Sequence, residues 1–500
     1  MSTWLSDREQ RLVAGAETAS AAIPIPTQIV SNGEYLPPTQ SETQKRVERR
    51  IFELADTNAK RLGLSRRQFM ATGCGMTAAF VAMNEIYGSK VFMVDAAEAH
   101  EPELIQARAQ NLSGQFIFDV QTHFVRDDFD HKELLGLGDY AAEHWNPKLK
   151  DEASSLVRYK FQNYVKEIYY DSDTNLALLS GAPFDDPTWW LLSNEQIVRA
   201  REVINDFAGS RRMLAHSVIT PKQPGFMEEV DKAIEVYKPD SWKSYTIGDP
   251  LAPSKFPWRL DDEKVMYPFY EKAVKAGITM LCIHKGLLPP REIVRRRLGI
   301  RDRLGYRQGR QGLAADDLHH LPLGAAPVPR SARPGVGGVR GLRPHQVGDR
   351  PRRDPAKVRG QQRLCRDRTS FANSAVAHPK FAAALLGTLI KGFGADHVLW
   401  GTDSVWSGSP QWQIEALRRL EVPEDMQKKH GFAALGGANS ATKQMIFGTN
   451  AARLYRLNLK AADNSPMPAY SEDRLAQLKN EYELAAIEPS NLRYGYVQVG

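Results

Sequence analysis

The sequence predicts an α/β fold, specifically a (β/α)8 barrel of the TIM type, on three observations. From about residue 116, short apolar runs alternate with longer amphipathic stretches. That rhythm is the one parallel strands joined by crossover helices require. The runs end in polar residues, and a closed barrel collects its reactive side chains at the C-terminal ends of its strands. Finally, 500 residues are enough for one large barrel plus extensions.

Six strands are expected in order: "QFIFDVQTH" (115–123), "TNLALLSG" (174–181), "RMLAHSVIT" (212–220), "DSWKSYT" (240–246), "ITMLCIHKG" (278–286) and "DHVLWGTDS" (396–404). Between them, "SNEQIVRAREVINDFAG" and "DEKVMYPFYEKAVKAG" have helical spacing, the second stopping at Gly277. The interval between the fifth and last strands has room for two more β/α units, which would close the barrel at eight.

The barrel is assigned to residues 100–460, after an N-terminal extension (1–64) and the segment 65–99. The latter reads "SRRQFMATGCGMTAAFVAM" over 65–83, paired arginines before a weakly apolar run, with a small-x-small site at Ala97–Ala99. It resembles a twin-arginine export signal and so implies a periplasmic destination; the plain reading is an amphipathic helix beginning at Ser65 in a cytoplasmic protein. No apolar run reaches eighteen residues, so no permanent membrane span is expected. Three cysteines, Cys74, Cys282 and Cys365, are too few for a disulfide framework or a thiolate zinc site. Residues 461–500 hold a Pro-containing linker and a helix capped by Ser471, with Glu472 and Asp473 in its first turn. That helix is read as a packing or subunit-contact element, compatible with a homo-oligomer.

The net charge of +7 suggests an acidic partner until its distribution is examined. Residues 291–368 carry 20 Lys and Arg against 7 Asp and Glu, leaving 46 against 52 elsewhere. The basic segment has nineteen arginines, one lysine and a single aromatic, Tyr306. A nucleic-acid arm would also use lysine and interleave aromatics, so no nucleic-acid partner is expected. The segment includes Asp316, Asp317, His319 and His320, metal-binding residue types with no strand or helix period around them. Its Arg, Gly, Pro and Ala are what GC-rich DNA yields in a wrong reading frame. Codons for Asp317–Leu323, read one base along, can encode Thr-Phe-Ile-Ile-Tyr-His, a buried strand ending in histidine. Windows upstream and downstream recover a helix and a further strand in the same way. The segment is therefore read as a frame-shifted sixth and seventh β/α unit, with His319 and His320 accidents of the shift. A chain with these units replaced should fold poorly and be inactive.

The chemistry rests on residues at strand ends. Side chains two apart on a strand share a face, so Gln121 and His123 point together; glutamine offers only a neutral oxygen where imidazole would bind zinc better. His284 and Asp403 end two further strands. Imidazole and carboxylate around one open position are what a catalytic zinc needs. With Lys243 at the end of the fourth strand and Trp406 just past Asp403 as a pocket wall, these complete the candidate set. Trp189, Trp190, Trp242 and Trp412 are assigned to core packing.

These motifs resemble the amidohydrolase-related family of metal-dependent TIM barrels, in the branch that includes aminocarboxymuconate-semialdehyde decarboxylase. "DVQTH" is similar to the family's Asp-x-His-x-His with glutamine at the first histidine, His284 matches its strand-five histidine, and "GADHVLWGTD" matches its strand-eight motif. The resemblance covers roughly residues 115–457. It implies one divalent metal, zinc first and manganese second, held by His123, His284, Asp403 and Gln121, with Asp403 also the catalytic proton acceptor. It implies a metal-dependent hydrolase acting on a small organic substrate through a metal-activated water. Decarboxylase or hydratase chemistry is the alternative, and a catalytically silent barrel with a binding role is the reading from another class. Lys243, carboxylated in some related barrels, is read as an ordinary lysine in an ion pair.

Overall fold

A computed structural model describes residues 23–27, 40–88, 90–129, 159–249, 254–284, 365–367, 369–406, 408–457, 459 and 473–484. The chain divides into two units, and the smaller, Lys285–Leu288 with Asp302–Arg363, lies outside the described residues, as does the frame-shift assignment over 291–368 apart from 365–367.

In the larger unit five parallel strands, β1 (Phe118–Thr122), β2 (Leu176–Leu179), β3 (Met213–Val218), β4 (Ser241–Tyr245) and β5 (Leu281–His284), lie side by side in chain order. A second pair, β6 (Cys365–Asp367) and β7 (Val398–Trp400), is also parallel. A bridge between Thr122 and Ser404 brings the chain after β7 alongside β1. The result is a half-barrel of five strands plus a pair, seven strands among the described residues where eight were expected. The strand expected over 396–404 is only three residues long, because Ala395–His397 form a 3-10 turn and residues 402–405 leave β7 to run along β1.

Alternation along β1 sets the layers. Phe118 and Val120 pack with Leu176, Leu178 and Leu214 beneath the sheet, while Asp119, Gln121 and His123 take the opposite face. β1 to β4 are fully buried, whereas in β5 only Cys282 is. Among the described residues β5 has a strand neighbour on one side, and its Leu281 and Ile283 are half-exposed.

The helices form where the sequence places their caps. Ser193 and Gln196 make a reciprocal capping box for the helix Asn194–Ala208, which stops at Gly209 in the left-handed region (φ 69). The second expected helix runs over Met266–Lys275. The C-terminal helix, Arg474–Leu484, is capped by Asp473, which accepts from Ala476 N at 2.9 Å and pairs with buried Arg212 of β3's approach; Ser471 lies outside the described residues.

The segment read as an export signal is built into the body. Ser65 and Gln68 make a capping box for a short helix, Arg66–Met70. After the long helix α1 (Glu42–Leu62), the apolar run becomes helix α2 (Gly73–Tyr87), whose Cys74, Ala78, Ala79, Phe80, Ala82 and Met83 are buried. They share a core with Phe371, Trp400, Trp412 and Leu417. Phe92 bridges Leu420, and Tyr87 donates to Val376 O at 2.9 Å.

Candidate active site

Asp119 organises the site from below. Its fully buried carboxylate accepts from the backbone N–H of Gln121 at 3.0 Å and of Thr402 at 3.1 Å, and from the Thr402 hydroxyl. Burial pushes this carboxyl up to about 7 even against those three hydrogen bonds. By holding Thr402, Asp119 fixes the register between β1 and the following residues: Asp403 N donates to Gln121 O at 3.0 Å, His123 N to Ser404 O at 2.6 Å, and Val405 N to His123 O at 3.2 Å. Residues 282 positions apart become neighbours. Asp403 adopts φ 63, the left-handed region that aspartate tolerates better than most side chains.

Three polar atoms then converge. His123 Nε2 lies 3.0 Å from Asp403 Oδ1, and the Gln121 amide nitrogen lies 3.1 Å from Asp403 Oδ1 and 3.2 Å from His123 Nε2. His123 Nδ1 faces the Ser180 carbonyl at 2.7 Å, which accepts only, so Nδ1 carries a hydrogen and Nε2 is the ring nitrogen turned toward the carboxylate. Two acceptors that close require a proton, an amide N–H or a cation between them.

The remaining candidates continue outward from this triangle. Lys243, fully buried on β4, holds its ammonium 3.5 Å from Gln121 Oε1 and 5.3 Å from the centre of the Tyr245 ring. Tyr245 stacks on His284, centroids 4.2 Å apart. Trp406 stacks on His123 at 6.0 Å and meets Tyr159 at 5.2 Å, giving the site an apolar wall. Trp242 and Trp412 are buried in the cores.

A divalent cation is implied by the sequence resemblance, and the donors test it. Among the described residues no group of three or more His, Cys, Asp and Glu is gathered that could hold a metal. His284, which the sequence reading joined to His123 and Asp403, ends β5 and stacks on Tyr245. The residues as placed do not fit a cation: only His123 Nε2 and Asp403 Oδ1, 3.0 Å apart, can offer lone pairs to the space between them, and the Gln121 atom at 3.1 and 3.2 Å from them is the amide nitrogen, an N–H donor. Sequence reasoning missed Asp119 and Tyr245, although each sits two residues from a chosen site residue and so shares its face.

The model of a family described as Amidohydrolase matches residues 356–457, which include "GADHVLWGTD". Among solved structures, 5-carboxyvanillate decarboxylase LigW from Sphingomonas paucimobilis aligns with a TM-score of 0.32 and 13% identity, covering 69% of this chain and 100% of that one. No curated protein matches the chain.

Proposed function

Residues 356–457 carry the amidohydrolase match, and on that premise we propose that the chain is a metal-dependent enzyme acting on a small organic molecule at the strand ends around Asp403. The observation that carries this reading is the convergence of His123 Nε2, Asp403 Oδ1 and the Gln121 amide within 3.2 Å of one another. The reading assigns a zinc or manganese ion to His123, His284, Asp403 and Gln121, a donor set that the described side chains do not gather as they stand. When bound, such a cation supplies Lewis acidity toward an oxygen of water or substrate.

The chain's own residues do the rest. Ser180 O fixes the His123 tautomer. Asp403 is the general base of hydrolysis. Trp406 and Tyr159 limit water beside His123. Hydrolysis is the first reading. Loss of carbon dioxide is the second, and the observation favouring it is that aromatic wall, since an apolar surround disfavours a carboxylate and favours its departure as a neutral gas. The sixth and seventh β/α units, on this reading, are encoded in the shifted frame over 291–368, and residues 65–99 serve as a twin-arginine signal that directs export.

The test is metal content and turnover of chelator-treated, reloaded protein in which the frame is restored between the codons for Pro290 and Thr369. About one equivalent of cation is expected, and Asp403→Asn, which keeps a side chain suited to φ 63, should lower turnover by at least about 100-fold. Product analysis separates hydrolysis from decarboxylation. Failure to bind any cation, with no effect of Asp403→Asn, would leave the silent barrel as the better reading.

A further inference from the structure

Two of the three parts of a cleavable export signal are folded away in this chain. The paired arginines stay exposed, Arg66 lying 3.4 Å from Asp56 and over the Phe52 ring at 5.1 Å. The apolar run does not: α2 buries Ala78, Ala79, Phe80, Ala82 and Met83 in one core with Trp412 and Leu417. The third part, the small-x-small site Ala97-Glu98-Ala99, is wound into a 3-10 turn in which His100 N and Glu101 N both donate to Ala97 O at 3.0 Å. Ala99 is 4% exposed. The middle residue of the site closes it. Glu98 accepts from Arg419 at 2.9 Å, and this guanidinium, 2% exposed, also donates to Thr77 Oγ1 at 3.0 Å, pairs with Glu415 at 3.3 Å and lies 5.7 Å over the Phe80 ring. One arginine therefore ties the cleavage site to the apolar run. The chain between them is held separately: Met93 N donates to Arg419 O at 2.6 Å and Glu421 N to Val91 O at 2.8 Å, on either side of the bridge from Phe92 to Leu420.

A peptidase takes its substrate as an extended strand along the edge of its own cleft. To extend, residues 96–100 must give up their turn, withdraw Ala99 from the core and leave a buried guanidinium with one carboxylate fewer. Resting on the export reading only for the enzyme that would do the cutting, we infer that the Glu98–Arg419 pair latches this site shut, so that the bond after Ala99 stays intact in the folded protein and the residues before His100 belong to the mature chain. Folding and removal then exclude one another. The signal is readable before α2 docks, and once docked it is core.

The test reads the rate of that cut by an elastase, which cleaves after small residues, in the 500-residue protein and in a free peptide of residues 93–104 in the same buffer, with the products weighed by mass spectrometry. The protein should be cut after Ala97 or Ala99 at least about 100-fold more slowly than the peptide, since cleavage samples only the opened fraction. With each rate divided by that of its own peptide, Glu98→Ala should be cut at least about tenfold faster than the parent. Cutting of the parent within about threefold of its peptide, or no gain from Glu98→Ala, overturns the proposal. Should Glu98→Ala fail to fold, Glu98→Gln removes the charge while keeping the shape, and the same gain is expected of it. Intact masses from cell fractions separate this proposal from the export reading. A periplasmic chain beginning at His100 overturns the latch, and a periplasmic chain that still carries residues 65–99 supports both. A chain confined to the cytoplasm and cut slowly supports the latch and overturns the export reading alone.

Discussion

At the scale of single residues, burial and a few fixed hydrogen bonds decide what each ionisable group can do. His123 is held by one carbonyl, and Asp403 is delivered to it by backbone pairing instead of by sequence proximity. Away from the site, Lys443 is equally constrained: its ammonium is buried and donates to Arg418 O at 2.9 Å. Burial pushes it down to about 8 from an ordinary 10.5, with Glu421 only partly opposing. Between these values the unfolded chain binds more protons than the folded one, so stability must rise with pH there. Below about 8 both states are protonated and the full cost of the buried charge is present. Melting temperature should therefore climb from pH 8 toward pH 10, and Lys443→Met should flatten that rise.

At the scale of elements, α2 matters most for interpretation. Its sequence suits an export signal and its structure suits a core helix, since a stripe of Ala, Met and Phe serves either. Phe80 is 1% exposed, packs against Phe92 at 4.8 Å and lies under the Arg419 guanidinium, itself tied to Glu98 and Thr77. Phe80→Ala should lower the free energy of unfolding by about 3–5 kcal/mol in a urea titration. A removable leader would contribute nothing to the mature protein, so an unchanged midpoint would favour the export-signal reading. In contrast, β5 gains little from its surroundings: a parallel strand is normally buried on both faces, and Leu281, Ile283 and His284 are half-exposed.

At the scale of the whole molecule, one uneven charge distribution and one open edge point the same way. The basic surplus is confined to residues 291–368, and among the described residues the five-stranded sheet ends at β5, shortly before that segment. Restoring the frame between the codons for Pro290 and Thr369 should supply a partner for β5 and bury its apolar side chains. The corrected protein is expected to melt cooperatively and at least about 5 °C higher than the 500-residue chain, since several kcal/mol of added burial moves a domain of this size by that much. Scanning calorimetry of the two proteins decides it, and a sharp, unshifted transition in the uncorrected chain would count against the frame reading.

The sequence by itself determined the parallel β/α rhythm, the positions of five strands to within a few residues, the capping of the helix over Asn194–Ala208, and the face shared by Gln121 and His123. These are local properties, set by periodicity and by side chains that satisfy their own backbone. Only the tertiary structure decided that Asp403 meets His123 while His284 turns to Tyr245, that Asp119 staples the two chain segments, and that α2 is core. Those outcomes depend on which surfaces compete for burial across hundreds of residues, and on a ladder of backbone hydrogen bonds between β1 and residues 403–405 that nothing in either segment announces alone.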